Sequence, residues 1–211
     1  WLVKGMENIL ASRNSSDKVI RIFASTLTDL AEGELLQLQK AETGDTLEKD
    51  YYRIIYDKTA SLFVASAAAG AISVSATEEK MSAARTYAKC LGVAFQIRDD
   101  IFDYEENAEI GKPVGLDLKE KKITLPLLGA LAKAGEDRGR EIRRKLCRID
   151  DHPEYGGEII EFVKSEGGIE YARKRLYEYV DNARIALRPF GNLQEVEMLC
   201  EIAEFTADRK S

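Results

Sequence analysis

The chain has 211 residues, 45% of them apolar and 32% charged, with a formal net charge of −6 at pH 7. That length sustains one sizeable core and the composition shows no internal break, so residues 1–211 read as a single domain. The acidic balance argues against a nucleic-acid surface, no apolar run approaches the ~20 residues of a membrane helix, and no signal peptide is visible. Only four prolines and long runs of Ala, Leu, Glu and Lys favour an all-helical chain. Cys90, Cys147 and Cys200 are odd in number and far apart, which indicates neither a disulfide framework nor a zinc site and makes a reducing cytoplasm the default. The single histidine, His152, sits in a D-D-H-P turn and leaves little for histidine chemistry. No G-x-S-x-G, P-loop or dinucleotide fingerprint occurs.

The first residues, W-L-V-K-G-M-E-N-I-L-A, read as helix with Leu2, Met6, Ile9 and Leu10 on one side. The pattern starts without an initiator Met or a capping residue, so a longer parent chain is expected. Ser15, Ser16 and Asp17 offer N-caps for a helix over 18–40 with apolar positions at Ile20, Ile22, Phe23, Leu27, Leu30 and Leu35. Near its end stands E-G-E-L-L-Q, in which Glu34 and Gln37 form an i, i+3 pair of the kind usually found on a surface. Gly44 to Thr46 make a turn, and Thr46 as N-cap with Glu48 and Asp50 opens a helix over 47–73. On its wheel Lys58 lies among Ile55, Leu62, Ala65 and Ala69, while Arg53, Asp57 and Ser61 take the other side. A lysine there can snorkel, but small neighbours and apolar residues a turn away make escape awkward, and a buried lysine needs an anionic partner. The run A-S-A-A-A-G-A-I at 65–72 suits close helix packing.

Thr77 and Glu79 open the next helix, which runs into G-V-A-F-Q-I-R-D-D-I-F-D at 92–103. At 100° per residue, Cys90, Val93, Ala94, Ile97 and Ile101 fall on one apolar side and Leu91, Phe95 and Phe102 on a second. Between them lie Gln96, Asp99, Asp100 and Asp103 at i, i+3, i+4, i+7. Acidic triplets on helices are usually solvated, and Arg98 is a candidate for neutralising part of this one. A helix apolar on two sides is buried, however, and unpaired buried carboxylates cost several kcal/mol, roughly, even after relaxation. A cavity holding divalent cations resolves the conflict, with the carboxylates as oxygen ligands. The polar run that follows carries Lys112, Lys119, Lys121 and Lys122 around Gly111, Pro113 and Gly115, and lysines beside a metal-loaded acidic face suggest a bridging anion such as phosphate. Lys119 and Lys121 are read as solvated.

Beyond the loop, Pro126 sits in the first turn of a helix over 125–134. E-D-R-G-R-E-I-R-R-K-L-C is a charged amphipathic helix. Gly156/Gly157 and Gly167/Gly168 punctuate helices over 158–165 and 169–186, with Tyr171, Leu176, Tyr179, Val180 and Ala183 as core. A last helix over 193–206 leads to Arg209 and Lys210, read as solubilising charge.

F-Q-I-R-D-D-I-F-D, followed by G-K-P-V-G-L-D-L-K-E-K-K-I-T-L-P-L, resembles the second aspartate-rich region of trans-type polyprenyl diphosphate synthases. The resemblance implies an all-α antiparallel helical bundle around a central cavity. It also implies a prenyltransferase that joins isopentenyl diphosphate to an allylic prenyl diphosphate, head to tail, as a homodimer using three Mg2+. Asp99, Asp100 and Asp103 would be metal-related, with Asp99 and Asp103 as direct ligands. Lys58 and Thr59 of K-T-A, together with Gln96, Lys112 and Lys122, would hold the diphosphate, Lys58, Thr59, Gln96, Asp99 and Asp100 forming the catalytic set. Asp117 would partner a metal-bound water or a lysine, and Glu34 and Gln37 would face the allylic substrate. Some members bring a basic C-terminus to the homoallylic diphosphate, which would involve Arg209 and Lys210.

The family's first aspartate-rich motif and its basic G-K-x-x-R segment are missing here, and the remaining acid pair, Asp150/Asp151, stands in a turn. One of two metal faces is therefore present, and turnover by this chain alone is not expected. A class I terpene cyclase would pair its acids with an N-D-x-x-S-x-x-x-E face, which is not found. A non-catalytic partner subunit would have no reason to retain both K-T-A and D-D-I-F-D.

Overall fold

The computed structural model describes residues 16–105 and 115–209, with Lys4, Glu7, Asn8 and Ala11 at the N-terminal end, all four helical. Leu2, Met6, Ile9, Leu10, Ser15, Lys112 and Lys210 lie outside the described residues, so the expectations placed on them have no counterpart below.

Among the described residues all regular structure is helical. The α-helices are α1 (Ser16–Thr43), α2 (Glu48–Ile55), α3 (Ser61–Ser73), α4 (Glu78–Phe102), α5 (Leu116–Lys119), α6 (Leu125–Ala134), α7 (Glu136–Cys147), α8 (Tyr155–Ser165), α9 (Gly168–Ala186) and α10 (Gln194–Asp208). A π-helical turn, Tyr56–Ala60, joins α2 to α3, and a 3₁₀ turn, Arg188–Phe190, follows α9. The expected all-α bundle is what the chain forms, and no described helix is long and apolar enough to cross a membrane.

The axis of the bundle is α4, packed against α3, α9, α10 and the π turn. Its N-terminus is set as its sequence suggests, with the Thr77 hydroxyl accepting the Lys80 N–H. Both apolar sides expected of it are used, though unequally. Cys90, Val93, Ala94, Ile97 and Ile101 are buried, as is Leu91, whereas Phe95 and Phe102 are only half-buried and receive the guanidinium groups of Arg98 and Arg209 on their faces. On α9 the pattern selects Leu176, Val180 and Ala183 correctly as core, while Tyr171 and Tyr179 stop half-way and keep their rings at its margin.

The continuous helix expected over 47–73 is broken into two by the π turn at Tyr56–Ala60. Inserting a π turn rotates everything after it by about 100° relative to everything before it. The stripe Ile55–Lys58–Leu62 therefore does not exist as drawn. Ile55 is buried and Leu62 is 48% exposed, while of the residues assigned to the other side Asp57 and Ser61 are buried and only Arg53, ahead of the π turn, is exposed. Two glycines let neighbouring helices approach this turn. A Cβ at Gly33 on α1 would lie 2.7 Å from the Asp57 Cβ and 2.9 Å from the Lys58 Cγ, and one at Gly92 on α4 would lie 2.6 Å from the Ala60 Cα. Lys58 and Thr59 are thus wedged between α1 and α4. Thr46 is likewise not the cap of α2. It lies one residue earlier, buried, while Leu47 is the N-cap and donates its backbone N–H to Asp50 Oδ2 at 3.1 Å.

Candidate functional site

A cavity of about 130 Å³ opens where α1, α2, the π turn, α4 and the segment after α5 meet. Its wall includes Gln37, Lys58, Thr59, Gln96, Asp100, Asp117 and Lys122, seven of the residues singled out in the sequence, drawn from stretches up to 85 positions apart. Glu34 joins them at the rim through an ion pair with Lys58 Nζ at 2.5 Å. Ile54, Ile55 and Ile123 supply apolar wall. Sequence reasoning missed Tyr51, Thr46, Lys40 and Thr124, which also line the cavity. Nothing in their spacing marks them, because each is an ordinary helix or turn residue until α4 is laid beside it.

The lysine of K-T-A has found its anionic partner within the chain. Lys58 Nζ donates to Gln37 Oε1 at 2.9 Å and pairs with Glu34, its side chain about a quarter exposed. Next to it a line of hydrogen bonds crosses the cavity wall. The Thr59 hydroxyl donates to Gln96 Oε1 at 2.8 Å, Gln96 Nε2 donates to Asp100 Oδ1 at 2.9 Å, and the Tyr51 hydroxyl donates to Asp100 Oδ2 at 2.7 Å.

The three carboxylates of D-D-x-x-D do not share one buried face. Asp100 alone is buried, at 4% exposure. Asp99, one residue round the helix, faces the end of α10, where it pairs with the Arg209 guanidinium. That guanidinium lies over the Phe95 ring, 4.2 Å from its centroid, and donates to the Phe95 carbonyl at 3.3 Å. Arg98 turns away from the acids, holding the Arg209 carbonyl at 2.9 and 3.1 Å and Glu105 at 3.2 Å. Arg209, read from the sequence as solubilising charge, is instead the cation that neutralises Asp99. Asp103 is half-buried and accepts the backbone N–H groups of Leu116 (2.9 Å) and Asp117 (3.0 Å), which bolts the start of α5 to the end of α4. Among the described residues no three His, Cys, Asp or Glu side chains converge closely enough to hold a metal ion by themselves.

The remaining acids crowd together. Burial, then the charge of Asp117, raises the Asp100 pKa to about 8 against the opposing hydrogen bonds from Tyr51 and Gln96. Asp117 is also raised, by burial and by Asp103, with Lys122 opposing at 3.5 Å. Asp103 is raised by burial despite its backbone hydrogen bonds. Burial works against the Lys122 ammonium, but Glu120 and Asp117 outweigh it and raise its pKa. Lys121 points elsewhere, to Asp150 at 2.5 Å, and Lys119 is exposed.

A pH dependence follows from Asp100. Its folded pKa lies above its unfolded value near 4, so the native state binds the extra proton between those two values. The resulting stability is fully present below about pH 4 and is lost as pH rises through about 8. Thermal unfolding of the ligand-free chain is expected at higher temperature at pH 5 than at pH 8, and Asp100→Asn is expected to flatten that difference. Equal flattening by Asp151→Asn, remote from the cavity, would assign the slope to general charge repulsion instead.

The bundle thus gathers three lysines, two amides, several hydroxyls and two acids round one small cavity. The polyprenyl synthetase family model matches residues 2–161, and the chain belongs to that family. It is similar to the octaprenyl diphosphate synthase of Escherichia coli, at 34% identity over 193 residues that cover 91% of this chain and 59% of the relative. It is also similar to a short chain isoprenyl diphosphate synthase of Methanothermobacter thermautotrophicus, at 32% identity over 94% of this chain and 62% of the relative. Among solved structures, a polyprenyl synthase from Caulobacter crescentus complexed with calcium and isoprenyl diphosphate superposes with a TM-score of 0.83 at 35% identity, covering 92% of this chain and 60% of that one. The chain thus spans about three-fifths of the length of these relatives.

Proposed function

We propose that the cavity is the allylic diphosphate site of a prenyltransferase that condenses isopentenyl diphosphate with an allylic prenyl diphosphate, head to tail, releasing diphosphate and lengthening the chain. The observation that carries this reading is the convergence of Lys58, Thr59, Gln96 and Lys122 on one cavity beside the acidic end of α4. The Caulobacter relative, complexed with calcium and isoprenyl diphosphate, supports it by binding a ligand of this class with a divalent cation.

The chain's own residues divide the work by chemistry. Lys58 and Lys122 supply positive charge to the phosphate oxygens, joined by Lys112, which lies outside the described residues. Gln96 on α4 offers its second Nε2 hydrogen to those oxygens, and Thr59 on the π turn, whose hydroxyl donates to Gln96 Oε1, holds that amide in place. Ile54, Ile55 and Ile123 keep the adjoining wall apolar, which strengthens electrostatic contacts by limiting water. Asp99 and Asp103, with Asp100 beside them, would supply oxygen donors for Mg2+, the ligand's phosphate oxygens completing the set because the three carboxylates do not converge by themselves. The donor set fits a hard cation, and Asp99 already holds a cationic group, the Arg209 guanidinium. Bound there, three Mg2+ per complete site would supply the positive charge that offsets the diphosphate leaving group. Glu34, Gln37 and Asp117 then act as partners of the lysines. The assembly is a homodimer of single-domain, cytoplasmic chains. Because this chain lacks the family's first acidic motif, it binds diphosphate without turning over by itself.

Calorimetric titration of the chain with dimethylallyl diphosphate tests the reading. Saturable binding at a single site is expected with Mg2+ and much weaker binding with EDTA. Failure to bind under both conditions, or binding indifferent to Mg2+, overturns the assignment.

A further inference from the structure

Of the residues that line the cavity, Tyr51 makes the best-defined contact with the acidic helix, and no motif points to it. Its side chain is 3% exposed, and its ring packs edge-on against Tyr52 with centroids 5.4 Å apart. Tyr52 is in turn held by Arg175 of α9, whose Nε donates to its hydroxyl at 3.0 Å. The Tyr51 ring is therefore clamped from behind, and its hydroxyl can point in few directions. It donates to Asp100 Oδ2 at 2.7 Å, within the normal range for a hydroxyl bonded to a carboxylate.

The other oxygen of Asp100 receives Gln96 Nε2, and Gln96 Oε1 receives the Thr59 hydroxyl. This gives an unbroken series, Tyr51–Asp100–Gln96–Thr59, across α2, α4 and the π turn. A buried amide is two-faced and its orientation is set by whichever partner is least adaptable. Here that partner is Asp100, and Asp100 is itself held at one oxygen by a clamped tyrosine. Packing alone calls for the ring at position 51, and a phenylalanine would supply it. The hydroxyl adds only the bond to Asp100.

We propose that Tyr51 is a positioning residue for the diphosphate site, acting through Asp100 and Gln96 to set the arrangement in which Gln96 and Thr59 meet the ligand. The proposal rests on the reading of the cavity as a diphosphate site. A rigid, fully connected series of this kind is worth more than its separate bonds, because each member limits the freedom of the next. Removal of the hydroxyl leaves Asp100 Oδ2 without its partner and Asp100 held only through Gln96, so the amide orientation at Gln96 is no longer fixed.

The test is a double-mutant cycle read in ligand affinity, using inorganic pyrophosphate with Mg2+ as probe and the chain well below its unfolding temperature. Tyr51→Phe is expected to weaken binding roughly fivefold, the scale of one net hydrogen bond of about 1 kcal/mol. Thr59→Val weakens it as well, although residues 51 and 59 do not touch through any bond of their own. The double variant is expected to lose less than the product of the two single losses, since either change already breaks the series. Tyr155→Phe, which removes a tyrosine hydroxyl remote from the cavity beside His152, is expected to leave affinity within about twofold. A lower unfolding temperature for Tyr51→Phe with unchanged affinity, or losses that simply multiply, overturns the proposal and leaves the diphosphate site standing. No Mg2+-dependent pyrophosphate binding by the unmodified chain overturns both. Should Tyr51→Phe fail to fold, the unmodified chain decides by NMR. The Tyr51 hydroxyl proton is expected as a slowly exchanging resonance that moves when Mg2+ and pyrophosphate are added, and a resonance that stays in place overturns the proposal.

Discussion

Lys58→Met is expected to leave the ligand-free chain close to its original stability and to remove most of the thermal stabilisation conferred by Mg2+ with an allylic diphosphate. The first half follows from the surroundings of Lys58. Its ion pair with Glu34 involves a carboxylate side chain that is 52% exposed, and such pairs contribute about 1 kcal/mol or less. Methionine keeps the length and the packing of the stem against Gly33. The second half follows from the charge itself. A charged hydrogen bond to phosphate is worth about 2 kcal/mol, roughly thirtyfold in affinity, and ligand-induced stabilisation follows affinity by linkage. Differential scanning fluorimetry with and without Mg2+ and dimethylallyl diphosphate measures both halves together. A variant that retains the full ligand-induced shift would mean that Lys58 serves only Glu34 and Gln37, and the K-T-A assignment would fail at this position.

Gly92→Val is expected to have the largest effect on stability. A Cβ at this position meets the Cα of Ala60 at 2.6 Å, its Cβ at 2.9 Å and the Phe63 ring at 3.1 Å. The first of these is backbone and cannot rotate away, so α4 and the π turn must separate. Overpacking of this kind costs about 3 kcal/mol, which for a chain of this size lowers the unfolding temperature by roughly 6–12 °C. Alanine at the same position recovers about 1 kcal/mol of helix propensity and is expected to lie between valine and the native chain. Because the Thr59–Gln96 bond of 2.8 Å spans the same contact, the valine variant should lose diphosphate binding too. Valine with native unfolding temperature would show that the close approach of α4 to Ala60 is not needed by the fold.

Much of the bundle was legible from local chemistry. Helices α6 and α7 begin and end where Pro126, the Leu-rich run and the charged amphipathic pattern place them. The Thr77 cap and the apolar stripe through Ile97 and Ile101 follow from side-chain type and 3.6-residue spacing alone. The group of residues round the cavity was expected only through the resemblance of F-Q-I-R-D-D-I-F-D with G-L-D-L-K-E-K-K to a known family, which spacing alone does not supply.

Other features depend on contacts between segments, which no periodicity encodes. A wheel assumes 3.6 residues per turn throughout, so it cannot register the π turn at Tyr56–Ala60, and its error carries Lys58 into a stripe that the chain does not form. The acids of D-D-x-x-D are neighbours on one helix, yet they are sorted to three destinations by what packs beside each. Asp99 goes to Arg209, Asp100 to Tyr51 and Gln96, and Asp103 to the backbone of α5. What the amino-acid order determined by itself was helix identity, the apolar side of α4 and the chemical character of the site, since those depend on residues a few positions apart. The tertiary structure decided that Asp100 is the carboxylate buried against Tyr51 and that Asp99 is the one that meets Arg209, since these are contacts between groups 49 and 110 residues apart.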